Sequence, residues 1–143
     1  MSLSDVGKIL GGRKTLNVDI RSRMDLVDLG HRGVTKAALM KLAVYLNRSV
    51  GEMADILPVG ERTIQRYRRD QRFKSIVSEH ILQVAEVAAR GEEVFGDRDR
   101  FLAWLGLPSV ALGGEAPGGL LRSRFGAELV LEELGRIEHG VVV

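Results

Sequence analysis

The chain has 143 residues, a formal net charge of +2, 28% charged and 45% hydrophobic side chains, and no cysteine. Such a length supports one domain, or two small ones sharing a long helix, and the lack of cysteine excludes disulfides, thiolate metal sites and a cysteine nucleophile. No stretch approaches the roughly twenty apolar residues of a membrane span, and the N-terminus lacks a signal-peptide pattern, so a soluble, cytoplasmic protein is expected.

The hydrophobic period is helical almost throughout, and no run alternates with period two, which predicts an all-α fold. Ser4 is a candidate cap for a first helix ending at Gly11-Gly12, where glycine can take the left-handed conformation that closes a helix. Residues 13–20 read as extended, and Arg21 to about His31 as a second helix. A third helix follows Gly33, capped by Thr35, with Leu39, Leu42, Ala43 and Leu46 on one face.

Residues 49–69 read as two short helices around a tight turn. Ser49 can cap the first while Glu52, three residues on, reaches back as in a capping box. Val50, Met53, Ala54 and Leu57 then share one apolar face. Pro58 lacks an N–H and its ring clashes with a preceding turn, so Leu57-Pro58-Val59-Gly60 must bend. Gly60 is a weaker cap for the second helix than serine or threonine. In that helix Ile64 and Tyr67 face inward, while Arg62, Thr63, Gln65, Arg66 and Arg69 are the candidates to meet phosphates and base edges. This is the layout of a helix-turn-helix DNA reader; the alternative is a solvated arginine-rich helix in an ordinary bundle. Charge distribution favours the reader. Residues 1–74 hold 15 basic and 8 acidic side chains, a net of +7, and residues 75–143 hold 6 and 11, a net of −5. A basic half collects a polyanion through counterion release, and an acidic half needs another task.

From Ser78 to Phe95 the spacing predicts a long helix with apolar residues on two sides. One side can pack on the rest of the chain. The heptad-like seam with Ile81, Val84 and Ala88 is a candidate dimerisation face, the alternative being a central helix buried wholly within its own domain. Asp97 can cap a helix over Arg98 to Leu105 that ends at Gly106. Residues 106–119 hold five glycines and two prolines and predict an ordered loop anchored by Leu107, Val110, Ala111 and Leu112. The last helix runs from Arg124 to about Glu138 with Phe125, Leu129, Val130, Leu134 and Ile137 inward, and an apolar tail, Val141-Val142-Val143, follows Gly140.

No catalytic constellation or cofactor site competes with this reading. His31, His80 and His139 lie in separate segments without metal-ligand spacing, and Trp104 is most simply core. Gly11-Gly12 and Gly113-Gly114 lack the strand-to-helix setting and the lysine of a phosphate loop, so they are turns.

The second half carries a distinctive combination: Glu93-Val94-Phe95-Gly96-Asp97, Trp104-Leu105, Pro108-Ser109-Val110-Ala111-Leu112-Gly113-Gly114, Pro117, Leu120-Leu121, Gly126, and Leu134 through Val141. With Ile9-Leu10-Gly11-Gly12 and Met24-Asp25-Leu26-Val27, it resembles Xre/ParS-type antitoxins over nearly the whole chain. The resemblance implies a non-enzymatic antitoxin of a type II module. Such a protein binds operator DNA as an autorepressor through residues 1–74 and neutralises a RES-domain toxin, an ADP-ribosyltransferase-like user of NAD, through a small helical toxin-binding domain in residues 75–143. It assigns toxin contact to Leu112, Gly113, Gly114, Pro117, Arg136, Glu138, His139, Gly140, Val141, Val142 and Val143. Ala116 stands where the family usually presents a serine or threonine cap, and Gly118-Gly119 follow Pro117, so this turn is expected to be frayed. A homodimer is expected. The alternatives are a helix-turn-helix repressor whose C-terminal part only dimerises, and a helical adaptor without DNA.

Overall fold

A computed structural model of the protein describes residues 3–140. The fold is helical, and among the described residues the only extended pairing is an isolated antiparallel bridge between Thr35 and Arg72. The N-terminal elements are α1 (Leu3–Ile9), α2 (Arg13–Leu16), α3 (Arg23–Arg32), α4 (Lys36–Leu46), α5 (Val50–Ala54) and α6 (Glu61–Arg66). The long helix α7 (Ser75–Phe95) leads to α8 (Arg98–Leu105), a 3-10 turn (Val110–Leu112), α9 (Pro117–Leu120) and α10 (Arg124–Glu138).

Local signals set most of the boundaries. Gly11 at φ +103° and Gly12 at φ +72° close α1 as expected, but Ser4 stands inside that helix and not at its cap. The expected extended segment 13–20 is corrected, since residues 13–16 form a helical turn. Thr15 and Leu16 N–H groups donate to Gly12 O at 3.1 and 2.9 Å, Leu16 is buried, and Asn17 closes the turn at φ 60°. Ser22 and Asp25 make a capping box on α3, and Thr35 caps α4 through Ala38 N.

The 21 residues of α7 lie at the centre of one continuous apolar core, packed against α1 and α3 on the N-terminal side and against α8 and α10 on the C-terminal side. Ile81, Val84 and Ala88 are 0% exposed within the single chain, which corrects their assignment to a dimer seam. The second apolar stripe of the helix is covered by elements of the same chain, so these side chains have no surface to offer a second copy. Buried polar groups on α7 are satisfied internally. Ser78 Oγ accepts from Val34 N at 2.9 Å and donates to Phe73 O at 3.1 Å, and His80 Nε2 meets Leu121 O at 2.7 Å.

Close helix approach explains two glycines. A Cβ on Gly91 would fall 2.0 Å from the Phe101 ring, and one on Gly126 would fall 1.9 Å from Leu120 O. Of the two glycines of α9, Gly118 is likewise a packing residue, whereas a Cβ on Gly119 would meet nothing within 4 Å. A Cβ on Gly118 would meet Arg48 Nη2 at 2.9 Å and Leu105 O at 3.0 Å, and Pro117–Leu120 form a helical turn without a side-chain cap bond from Ala116. No helix among the described residues is long and apolar enough to cross a membrane.

Candidate nucleic-acid interface and C-terminal surface

The reading unit is built as its sequence signals require. Ser49 Oγ accepts from Glu52 N at 3.1 Å, and Glu52 Oε1 accepts from Ser49 N at 3.0 Å. The Ser49 N–H, followed by the Ser49 hydroxyl, holds the Glu52 carboxyl below the usual carboxylate range. Met53 and Leu57 are buried, Val50 and Ala54 half-buried, and the chain turns through Pro58 into α6, with Gly60 capping by backbone alone. Ile64, 0% exposed, anchors α6 to the core, while Arg62, Gln65 and Arg66 are exposed and Thr63 is half-buried.

Helix α6 is only six residues long and ends at Arg66, because Tyr67 takes an extended conformation and stacks on Phe73 at 4.7 Å between centroids. Lys36 Nζ closes the end of the helix by donating to Gln65 O at 3.3 Å and Tyr67 O at 2.9 Å, a cation where the helix dipole is negative. Arg69 therefore lies beyond α6 in the following segment, and the expectation that it shares the helical face with Arg62 and Arg66 is corrected.

Charge pairing is uneven along the chain: Arg13, Arg21, Arg23 and Arg68 of the N-terminal half face carboxylates, and Arg122 in the C-terminal half has no carboxylate partner among the described residues. In the C-terminal half Arg90, Arg98, Arg100, Arg124 and Arg136 each lie against a carboxylate, of Glu138, Asp99, Asp97, Glu79 and Glu133 respectively. Arg62, Arg66 and Arg69 have no carboxylate partner among the described residues. An uncompensated, exposed arginine face holds counterions that a polyanion can displace.

The C-terminal surface departs further from expectation. Phe125 is 82% exposed and Leu129 47% exposed, four residues apart on the outward side of α10, whereas Ala127, Val130 and Leu134 face the core. Small Gly126 lets α10 approach Leu120 closely, and Ala127 beside it is buried. Of the residues assigned to toxin contact by resemblance, Leu112 and Pro117 are buried in the single chain. Arg136 pairs with Glu133 at 2.9 Å and Glu138 with Arg90 at 2.9 Å. Gly113, Gly114, His139 and Gly140 are exposed, the three glycines at φ +71°, +84° and +70°. Val141, Val142 and Val143 lie outside the described residues. Among the described residues no cluster of His, Asp and Glu has the arrangement of a metal site.

The two halves also divide in their similarity to known proteins. Residues 25–86 match the antitoxin Xre-like helix-turn-helix domain, and residues 90–140 match the antitoxin Xre/MbcA/ParS C-terminal toxin-binding domain. Antitoxin Xre of Photorhabdus laumondii is 32% identical over 101 residues, covering 67% of this chain and 68% of that protein. Antitoxin Xre of Yersinia enterocolitica is 29% identical over 118 residues, covering 81% and 80%. In fold, the chain is similar to a chain of the M. tuberculosis MbcT–MbcA toxin–antitoxin complex, with a TM-score of 0.56, 21% identity, and coverage of 76% of this chain and 96% of that one.

Proposed function

The chain belongs to the Xre antitoxin family and is not an enzyme, and from that premise we propose that it neutralises a RES-domain, NAD-using toxin and represses its own operon by binding operator DNA. The DNA function is carried by residues 1–74, with Arg62, Thr63, Gln65 and Arg66 meeting the major groove and Arg69 a phosphate. Toxin contact belongs to residues 75–143, through the exposed Gly113-Gly114 turn, Arg136, Glu138, His139, Gly140 and the tail Val141 to Val143. Operator binding occurs in the cytoplasm as a homodimer, whose contacts must use exposed surface because the Ile81 seam is internal.

The observation that carries the DNA reading is the contrast in pairing: Arg62 and Arg66 stand exposed without carboxylates among the described residues, while the arginines of α10 are matched. Replacing Arg66 with alanine tests it. Each phosphate contact contributes about 0.9 to the log–log salt slope of DNA affinity. Gel-shift titrations with DNA from upstream of the gene should show weaker binding for Arg66→Ala, while growth rescue of toxin-expressing cells is kept. Unchanged affinity and slope would remove Arg66 from the interface.

A further inference from the structure

We propose that a cleft at the C-terminal end of α6, walled by Lys14 of α2 on one side and by Arg69 and Arg72 on the other, takes a backbone phosphate of the DNA beside the site read by α6; the inference rests on the DNA reading above. The cleft has a volume of about 300 Å³, and Thr15, Asn17 and Thr35 add polar groups to its lining.

Its walls are fixed by main-chain bonds. Ala37 N donates to Arg69 O at 2.9 Å, Lys36 N to Gln71 O at 3.0 Å, and Phe73 N to Val34 O at 2.9 Å. The bridge between Thr35 and Arg72 lies among these bonds, and Arg72 Nη1 donates to Gly33 O at 2.6 Å, which sets the direction of its guanidinium. On the other wall, buried Leu16 and the closing turn at Asn17 hold α2 in place.

The electrostatics favour an anion. Three cations line the cleft together with one carboxylate, Asp70, which already faces Arg68 at 3.3 Å. Lys14 and Arg69 have no carboxylate partner among the described residues. Gathering three cations around a single carboxylate leaves an excess of positive charge, and a phosphate offsets it.

Position selects DNA as the source of that phosphate. Arg69 follows Arg66, the last residue of α6, by three positions, so their Cα atoms are separated by at most about 11 Å. A duplex backbone passing α6 thus brings a phosphate within reach of the cleft. The contact fixes register and carries no sequence information. It also gives the segment ahead of the helix-turn-helix domain a part in binding, since Lys14 lies outside the residues that match that domain.

The test uses the full chain, a duplex from upstream of its gene and an unrelated duplex. The double variant Lys14→Ala with Arg69→Ala should lower the salt slope by about 0.9 on both duplexes alike, the share of one phosphate, and each single variant should weaken binding to both duplexes, with unchanged circular dichroism. A methylphosphonate placed at the contacted position should remove the difference between Lys14→Ala and the intact chain. If both single variants bind as the intact chain does while Arg66→Ala is weakened, the cleft is not part of the interface and the reading of α6 stands. If Arg66→Ala also binds normally, Arg66 and the cleft both leave the interface, and if the intact chain shifts neither duplex the DNA reading itself falls.

Discussion

Gly91→Ala tests the packing that joins the long helix to the C-terminal half. The new Cβ would lie 2.0 and 2.1 Å from two carbons of Phe101, which is itself 0% exposed. Carbon atoms pack at about 3.5–4.0 Å, so the ring must move by roughly 1.5–2 Å in a filled core. Overpacking of this kind costs about 1–3 kcal/mol, and alanine returns about 1 kcal/mol of helix propensity. Gly135→Ala in α10 is the control, because its Cβ would meet only Arg90 Nη2 at 3.9 Å. Propensity cancels between the two variants, so their difference isolates the packing cost, about 1–3 kcal/mol. At roughly 4 °C per kcal/mol, Gly91→Ala should melt some 4–12 °C below Gly135→Ala by circular dichroism. If Gly91→Ala melts at or above the control, the close approach of α7 and α8 described here is wrong.

Ser49→Ala removes the cap of α5 and should destabilise the chain by about 1 kcal/mol in urea titrations. Glu52 has a lowered pKa through its bonds to Ser49, so its stabilising contribution is present above the ordinary carboxylate pKa and is lost as pH falls through the lower folded-state value. Glu52→Gln should therefore flatten the acid limb of a stability–pH profile; an unchanged limb would assign it to other groups, such as Asp25, which also has a lowered pKa. Ala88→Glu should unfold the protein, at a cost of about 3–5 kcal/mol for an uncompensated buried charge, and not merely dissociate a dimer; full helicity in the variant would contradict the internal seam. Deleting His139 to Val143 should abolish growth rescue while melting temperature and operator binding stay close to the intact values. Rescue by the truncated chain would move neutralisation to the 106–121 loop or the outer face of α10.

The parts legible in the sequence are those set by local chemistry. Ser49 with Glu52, Thr35, Asp97 and Pro58 act within one turn of chain, and each cap or bend stands where its residue type demands. Features that depend on distant packing were not legible. α10 carries apolar residues on more than one side, and the inward side is the one with Val130 and Leu134, beside the close approach of Gly126 to Leu120, while Phe125 and Leu129 are exposed. The face of α7 assigned to a partner is covered by helices from both ends of the chain, which periodicity cannot reveal. Arg69 left the reading helix because Tyr67 stacks on Phe73 and Lys36 closes the last carbonyls, contacts made across 6 and 31 residues of sequence. Charge imbalance between the halves was visible from composition, whereas the matching of arginines with carboxylates in the C-terminal half required the fold.

The most direct test of the central claim is NAD consumption by the purified cognate RES-domain toxin, titrated with the purified intact chain. Neutralisation through the C-terminal domain predicts that turnover falls to background at a fixed molar ratio, and that Arg66→Ala inhibits equally well while binding operator DNA more weakly. Undiminished NAD turnover at saturating protein, with operator binding intact, would contradict the account and leave a stand-alone repressor.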